Sequence, residues 1–120
     1  MHDSRMIADA YLALWNEAGD DARRTALASG WAADARYIDP VMRGEGRDGI
    51  ATMIAAARAQ FPGHRFTLRG TPDGHDAFVR FGWTLAPEDG NAIAAGTDIV
   101  RLDGSGRIAE VIGFLEGASQ

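Results

Sequence analysis

The chain contains no cysteine, and all twelve of its basic residues are arginine. The first absence removes disulfides, thiolate nucleophiles and cysteine-ligated metals. The second removes Schiff-base chemistry and the lysine of a phosphate-binding loop. The amino-terminal stretch MHDSRMIADAYLALWNEAG is interrupted by Asp3, Arg5, Asp9, Asn16 and Glu17, so it has neither the apolar core of a signal peptide nor the length of a membrane span. A cytoplasmic protein without a membrane partner is the expectation. Repeats, linkers and low-complexity tracts are missing too, which leaves residues 1–120 as one domain. The arginines are scattered and the net charge is −5, so there is no electrostatic footprint for a phosphate backbone and nucleic acid is not an expected partner.

What remains for chemistry is carboxylates, three histidines, two tyrosines, hydroxyls and arginine. The spacing of Ile7, Tyr11, Leu14, Trp15 and Ala18 predicts an amphipathic helix from Ser4 to Ala18, stopped by Gly19, with Tyr11 and Trp15 one turn apart on its buried face. Asp20 is placed as the cap of a second short helix through about Ser29. The segment DARYIDP alternates like a strand and ends at Pro40, which cannot donate to a ladder. After a loop from Val41 to Gly46, Ile50, Met53, Ile54, Ala57 and Phe61 share one stripe of a helix spanning Arg47 to Phe61. Strands follow at 65–69, 76–86, 92–102 and 107–115, joined by turns rich in Asp, Gly and Pro.

Helices first and an antiparallel meander afterwards imply an α+β fold, a curved antiparallel sheet wrapped around the N-terminal helices as a cone-shaped α+β barrel. Such an arrangement encloses a pocket between the layers, a common place for a small-molecule site.

Alternation in the strand 92–102 sets Gly96, Asp98, Val100 and Leu102 on one face and Thr97, Ile99 and Arg101 on the other. Arg101 marks the outer face, so Asp98 points inward. It is either satisfied locally, by backbone or by Thr97, or it is a cavity carboxyl whose burial favours the protonated form. Asp39, followed by Pro40, reads both as a turn opener and as a base at the mouth of the pocket. His75 shares the phase of Ala77, Val79, Phe81 and Trp83, the presumed pocket side, although the turn TPDGHD equally suits an exposed histidine. His64 is placed at the surface, and Arg43, Glu45 and Arg47 at a polar pocket entrance. No histidine and carboxylate spacing matches a metal site, and Ser105 lies in a hairpin turn rather than on a nucleophile elbow. Neither a metal nor another cofactor is expected.

The stretches AYLALWNEAGD, ARYIDPVMRGEGRDGI and GTDIVRLDGSGRI, in this order, resemble the nuclear transport factor 2-like superfamily, in particular its SnoaL-like polyketide cyclase and ketosteroid isomerase branches. The resemblance covers nearly the whole chain. It implies that Tyr11 is a helix tyrosine donating to a substrate oxyanion, that Asp39 is a general base, and that Asp98 is a protonated second donor. The implied reaction is proton abstraction α to a carbonyl, of an isomerase or lyase kind, without a cofactor.

The buried-stripe residues Trp15, Met53, Phe61, Phe81 and Trp83, with His75, are the candidate substrate-binding set for a small hydrophobic or cyclic carbonyl ligand. The resemblance also implies a homodimer, with Arg80, Arg101, Phe78 and Ile99 on an outward sheet face. Three alternatives stay open: a binding domain with the same pocket but no turnover, a dehydratase using a His75–Asp dyad, and a scaffold domain whose cavity is filled by side chains.

Overall fold

A computed structural model describes residues 3–116. Helix α1 (Ser4–Asn16) begins at Asp3, whose carboxylate accepts from the backbone N–H groups of Arg5 and Met6 and so satisfies two of the orphan donors of the first turn. It stops two residues before Ala18, because Asn16 is recruited elsewhere. Its side-chain amide donates to the Phe66 carbonyl and accepts from the Phe66 N–H, both at 2.8 Å, imitating a neighbouring strand. Helix α2 (Asp20–Gly30) has Gly19, not Asp20, at its N-cap, with no side-chain cap bond. Asp20 instead holds Arg23, which is buried and also donates to the Glu17 carbonyl at the α1–α2 corner.

Strand β1 (Trp31–Ile38) starts earlier than the alternating segment and turns Ala35 and Tyr37 inward. The residues expected as a plain loop contain a short strand β2 (Arg43–Glu45), which pairs antiparallel with β1. Helix α3 (Gly46–Gln60) buries Ile50, Ala51, Met53 and Ile54. Strands β3 (His64–His75), β4 (Phe78–Pro87), β5 (Ala94–Leu102) and β6 (Ile108–Leu115) complete the chain.

These strands form one curved sheet in the order β2-β1-β6-β5-β4-β3. Two features differ from a closed antiparallel barrel. The edges β2 and β3 do not pair, so the sheet stays open, and β1 runs parallel to β6. The parallel pair arises because α3 and four further strands intervene between them, which lets β6 return beside β1 in the same direction. The inner face carries Val79, Phe81, Trp83 and Leu85 of β4 and Gly96, Asp98, Val100 and Leu102 of β5, matching the predicted alternation. Helices α1 and α3 cover this face, and the hydrophobic core lies between them and the sheet. Among the described residues no helix is long and apolar enough to cross a membrane.

Asn16 joins α1 to the edge strand β3 through both of its amide atoms, and removing it leaves two partly buried backbone groups unpaired. Asn16→Ala should lower the unfolding free energy by about 1–3 kcal/mol, read as a shift in urea midpoint without a change in slope.

Candidate active site

Tyr11 sits at the centre of α1 with 2 % of its surface exposed. Its ring lies against Trp31, with centroids 6.0 Å apart, and meets the edge of Phe81 at 5.1 Å. So supported, its hydroxyl donates to Asp98 Oδ2 at 2.6 Å. The second oxygen of Asp98 accepts from the Trp83 indole Nε1 at 3.2 Å. Asp98 is 3 % exposed, and burial pushes its carboxyl up to about 6, against the pull of the Tyr11 and Trp83 hydrogen bonds and with a further push from the negative charge of Asp39. The Tyr11 phenol is driven well above its ordinary value, first by burial and then by the charge of Asp98, so it stays a neutral donor.

Asp39 lies just beyond the end of β1. It serves the turn and also reaches the cavity. Its Oδ1 accepts from the backbone N–H groups of Val41 and Met42, at 2.8 and 2.9 Å, which makes the turn after Pro40, while its side chain also lines the cavity. Its Oδ2 accepts from the Tyr37 hydroxyl at 2.5 Å. Tyr37 is itself pushed upward, mainly by burial and then by the charge of Asp98. The order β1-β6-β5 leaves one strand between the two aspartates, so both reach the same hollow.

That hollow has a volume of about 320 Å³ and is lined by Tyr11, Trp15, Tyr37, Asp39, Phe61, Phe66, Trp83 and Asp98 together with aliphatic side chains. It falls at the lower end of the range, roughly 300–1,000 Å³, of small-molecule sites. Val41, 69 % exposed, and Phe61, 38 % exposed, stand at its rim with the exposed Gln60 and with Asp39. Arg43 and Glu45 line a separate shallow pocket with Arg36 and Glu110, and Arg47 is spent on the Trp31 carbonyl. The three charged residues expected at the entrance therefore do not line it. Nor is the cavity filled by side chains, as a scaffold domain would have it.

Of the substrate-binding candidates, Trp15, Phe61 and Trp83 line the cavity. Met53 does not. Only the last turns of α3 reach the hollow, through Ala57, Gln60 and Phe61, and Met53 is packed in the core one turn earlier. Phe81 also lies outside it, behind the Tyr11 ring. His75 is exposed at the end of β3, beside Phe78. Asp76 in the following turn takes a positive φ of 53°, which breaks the alternation that had carried His75 onto the face of Phe81 and Trp83. His64 is half-buried but does not line the cavity, so among the described residues no histidine lines it and a His–Asp dyad has no base.

Tyr37 is the residue that sequence reasoning missed as a site group. The available signal was its place two residues before Asp39, on the same face of the strand. Among the described residues no three His, Asp or Glu side chains converge as metal ligands.

The fold and the site together define a small α+β domain in which helices and a curved sheet enclose an acid-bearing, apolar ligand cavity. The chain belongs to the SnoaL-like domain family, whose model matches residues 8–111. It is similar to a crystal structure of a proposed isomerase of the SnoaL-like family from Agrobacterium tumefaciens strain C58, with 54% identity, 95% of this chain and 97% of that chain covered, and a TM-score of 0.92. Two more distant structures share the fold. One is a proposed SnoaL-like polyketide cyclase from Jannaschia sp. CCS1, at 16% identity over 91% of this chain and 84% of that chain, TM-score 0.70. The other is a de novo designed protein with a curved β-sheet, at 11% identity over 95% and 85%, TM-score 0.72. The search of curated proteins finds no match.

The raised carboxyl of Asp98 has a thermodynamic signature. Below about pH 4 the folded and unfolded chains both hold its proton, and between pH 4 and 6 the unfolded chain releases it first. Stability should therefore fall as pH rises through this window and level off above it. A shift from 3.8 to about 6 corresponds to a loss on the order of 3 kcal/mol. Asp98→Asn should remove that slope, which urea unfolding of both proteins from pH 4 to 7 will measure as a difference.

Proposed function

We propose that this protein is a cofactor-free enzyme of the isomerase and cyclase kind, moving a proton α to the carbonyl of a small, apolar, cyclic substrate. One observation carries the reading: two carboxyl groups in unlike environments open into a single apolar cavity, Asp98 buried beneath a phenol and an indole, Asp39 held at the rim by a turn and Tyr37. Pairs of titratable groups with unlike surroundings divide acid and base work between them.

In the step envisaged, Asp39 takes the proton from the carbon beside the carbonyl. The C–H electron pair moves toward the carbonyl oxygen to give an enolate. Tyr11 and protonated Asp98 donate to that oxygen, and Asp39 returns the proton to carbon at the same or a neighbouring position. The Tyr11 hydroxyl, which donates to Asp98 in the ligand-free site, turns to the substrate oxygen. The backbone and tyrosine donors on Asp39 keep its carboxylate in one orientation, which suits a base that must meet a C–H bond at a fixed angle.

A second reading, binding without turnover, is favoured by the same three donors, since they already occupy most of the acceptor capacity of Asp39. Proton exchange separates the two. With 1-tetralone in D₂O, followed by NMR, the protein should accelerate deuterium incorporation at the α-carbon. Asp39→Asn should reduce that acceleration by about 10²–10⁴-fold, and Tyr11→Phe by about 10²–10³-fold. Retention of 1-tetralone in the cavity with no acceleration in the wild-type protein would replace the enzyme reading with the binding one.

The functional unit we envisage is a homodimer. The outer sheet face carries Ile38, Phe78, Ile112 and Phe114, each at least 39 % exposed, next to side chains of both signs at Arg36, Arg101 and Glu110, so two copies of this face suit one another across a twofold axis. Sedimentation equilibrium should give twice the chain mass. Phe114→Glu should shift it toward the monomer while leaving the far-ultraviolet circular dichroism unchanged.

A further inference from the structure

The inner face of β6 carries a glycine where the two aspartates meet. Gly113 is the cross-strand partner of Asp98, and its neighbour Ile112 pairs with Ile38, the residue before Asp39. Nothing in its backbone calls for glycine. The glycines with left-handed φ are Gly46, Gly63, Gly70 and Gly106, and Gly113 is not among them. In the interior of a strand, glycine forgoes both packing and strand propensity. The reason lies in what surrounds the position. A β-carbon at residue 113 would stand 2.8 Å from Asp98 Oδ1, 3.0 Å from the Asp39 β-carbon and 3.7 Å from the Asp98 carboxyl carbon, and these are its three nearest neighbours. The first two are well inside the separation of about 3.5–4.0 Å at which non-bonded heavy atoms sit best.

The contrast with other strand glycines sharpens this. A β-carbon at Gly96 would strike the Phe114 carbonyl oxygen at 2.5 Å, and one at Gly74 the Phe78 carbonyl oxygen at 2.7 Å. At both of those positions a backbone atom is among the nearest neighbours, beside the Trp83 ring at Gly96 and Ser4 Oγ at Gly74. At Gly113 the three nearest atoms are all side-chain atoms of the two site aspartates.

We propose that Gly113 is a positioning residue of this site: the space of its missing side chain is the seat of the Asp98 carboxyl group, which keeps Oδ1 on the Trp83 indole and Oδ2 on the Tyr11 hydroxyl while Asp39 takes the adjoining wall. An alanine here drives Asp98 out of its seat. Its two donors cannot follow, because Tyr11 and Trp83 are packed in the core at 2 % and 9 % exposure. The catalytic consequence rests on the proton-transfer reading above, whereas the steric claim stands apart from it.

The test is a cycle of four proteins: wild type, Gly113→Ala, Asp98→Ala and the double variant, with thermal unfolding and a ¹³C titration of the aspartate carboxyl groups. In the wild-type background Gly113→Ala should lower the melting temperature by several degrees. In the Asp98→Ala background, where the seat is empty, the same change should be neutral or raise it, since alanine is no worse than glycine in a strand. The Asp98 titration midpoint in Gly113→Ala should move up, by about half a unit or more, as the Trp83 donor is lost. Should Gly113→Ala fail to fold while the double variant folds, the steric claim is upheld. The proposal is overturned if Gly113→Ala changes the melting temperature equally in both backgrounds, if neither Gly113→Ala nor the double variant folds, or if the Asp98 midpoint stays where it was.

α-Proton exchange on 1-tetralone is the separate readout. A fall of tenfold or more in Gly113→Ala, with the cycle as expected, supports both the positioning role and the reaction. A wild type that shows no exchange while the cycle holds removes the reaction and leaves the positioning of Asp98 intact.

Discussion

The hydrogen bond from Tyr11 to Asp98 is the contact on which the rest of the architecture converges. A carboxyl group beneath a helix is costly unless it is paired with donors or keeps its proton, and here the first device operates throughout and the second below about pH 6. Tyr11 and Trp83 each supply a donor, one from α1 and one from β4, and burial favours the protonated form. For these donors to arrive together, α1 must lie across the sheet at the level of β4 and β5. The Asn16 clasp on β3 holds it there, and the aromatic packing of Tyr11 against Trp31 and Phe81 fixes its turn about its own axis.

The cavity follows from the same geometry. Because the sheet curves and remains open, the helices cannot settle flat against its whole inner face, and the unfilled end near β1 and the last turn of α3 is left as a hollow. Its walls are mainly aromatic and aliphatic, and among the described residues its only charged lining groups are Asp39 and Asp98. None of the chain's arginines lines it. A neutral, largely hydrocarbon molecule bearing one oxygen acceptor is the chemistry that such a lining complements. Membership of the SnoaL-like family accounts for the scaffold. The reaction itself has to be argued from these particular side chains, since one scaffold carries many activities.

The elements of the fold were legible because each rests on a local pattern. The stripe of Ile50, Met53, Ile54 and Ala57 predicts α3 to within a residue at each end, and alternation in β5 correctly turned Asp98 inward. Errors arose where a local pattern was carried across a break. The phase of β4 extended back through the turn put His75 in the pocket, but one residue with positive φ resets the phase. The helix stripe put Met53, and strand alternation Phe81, beside a ligand, although a periodicity says only that a residue is buried and not whether its neighbour is protein or empty space. The polar loop after Pro40 was read as an entrance because its charges were counted without their partners, and Arg47 turned out to be bonded to a backbone carbonyl.

Composition and periodicity alone determined the absence of thiol and lysine chemistry, the α+β class and the inward direction of Asp98, because each depends only on residue type or on the repeat of a single element. Tertiary structure alone decided that Tyr11 meets Asp98, that β6 returns parallel to β1 and brings the aspartates to one hollow, and that a glycine lies between them. These are distances between residues far apart in the chain, set by how helices seat on a twisted sheet, and no local repeat carries that information.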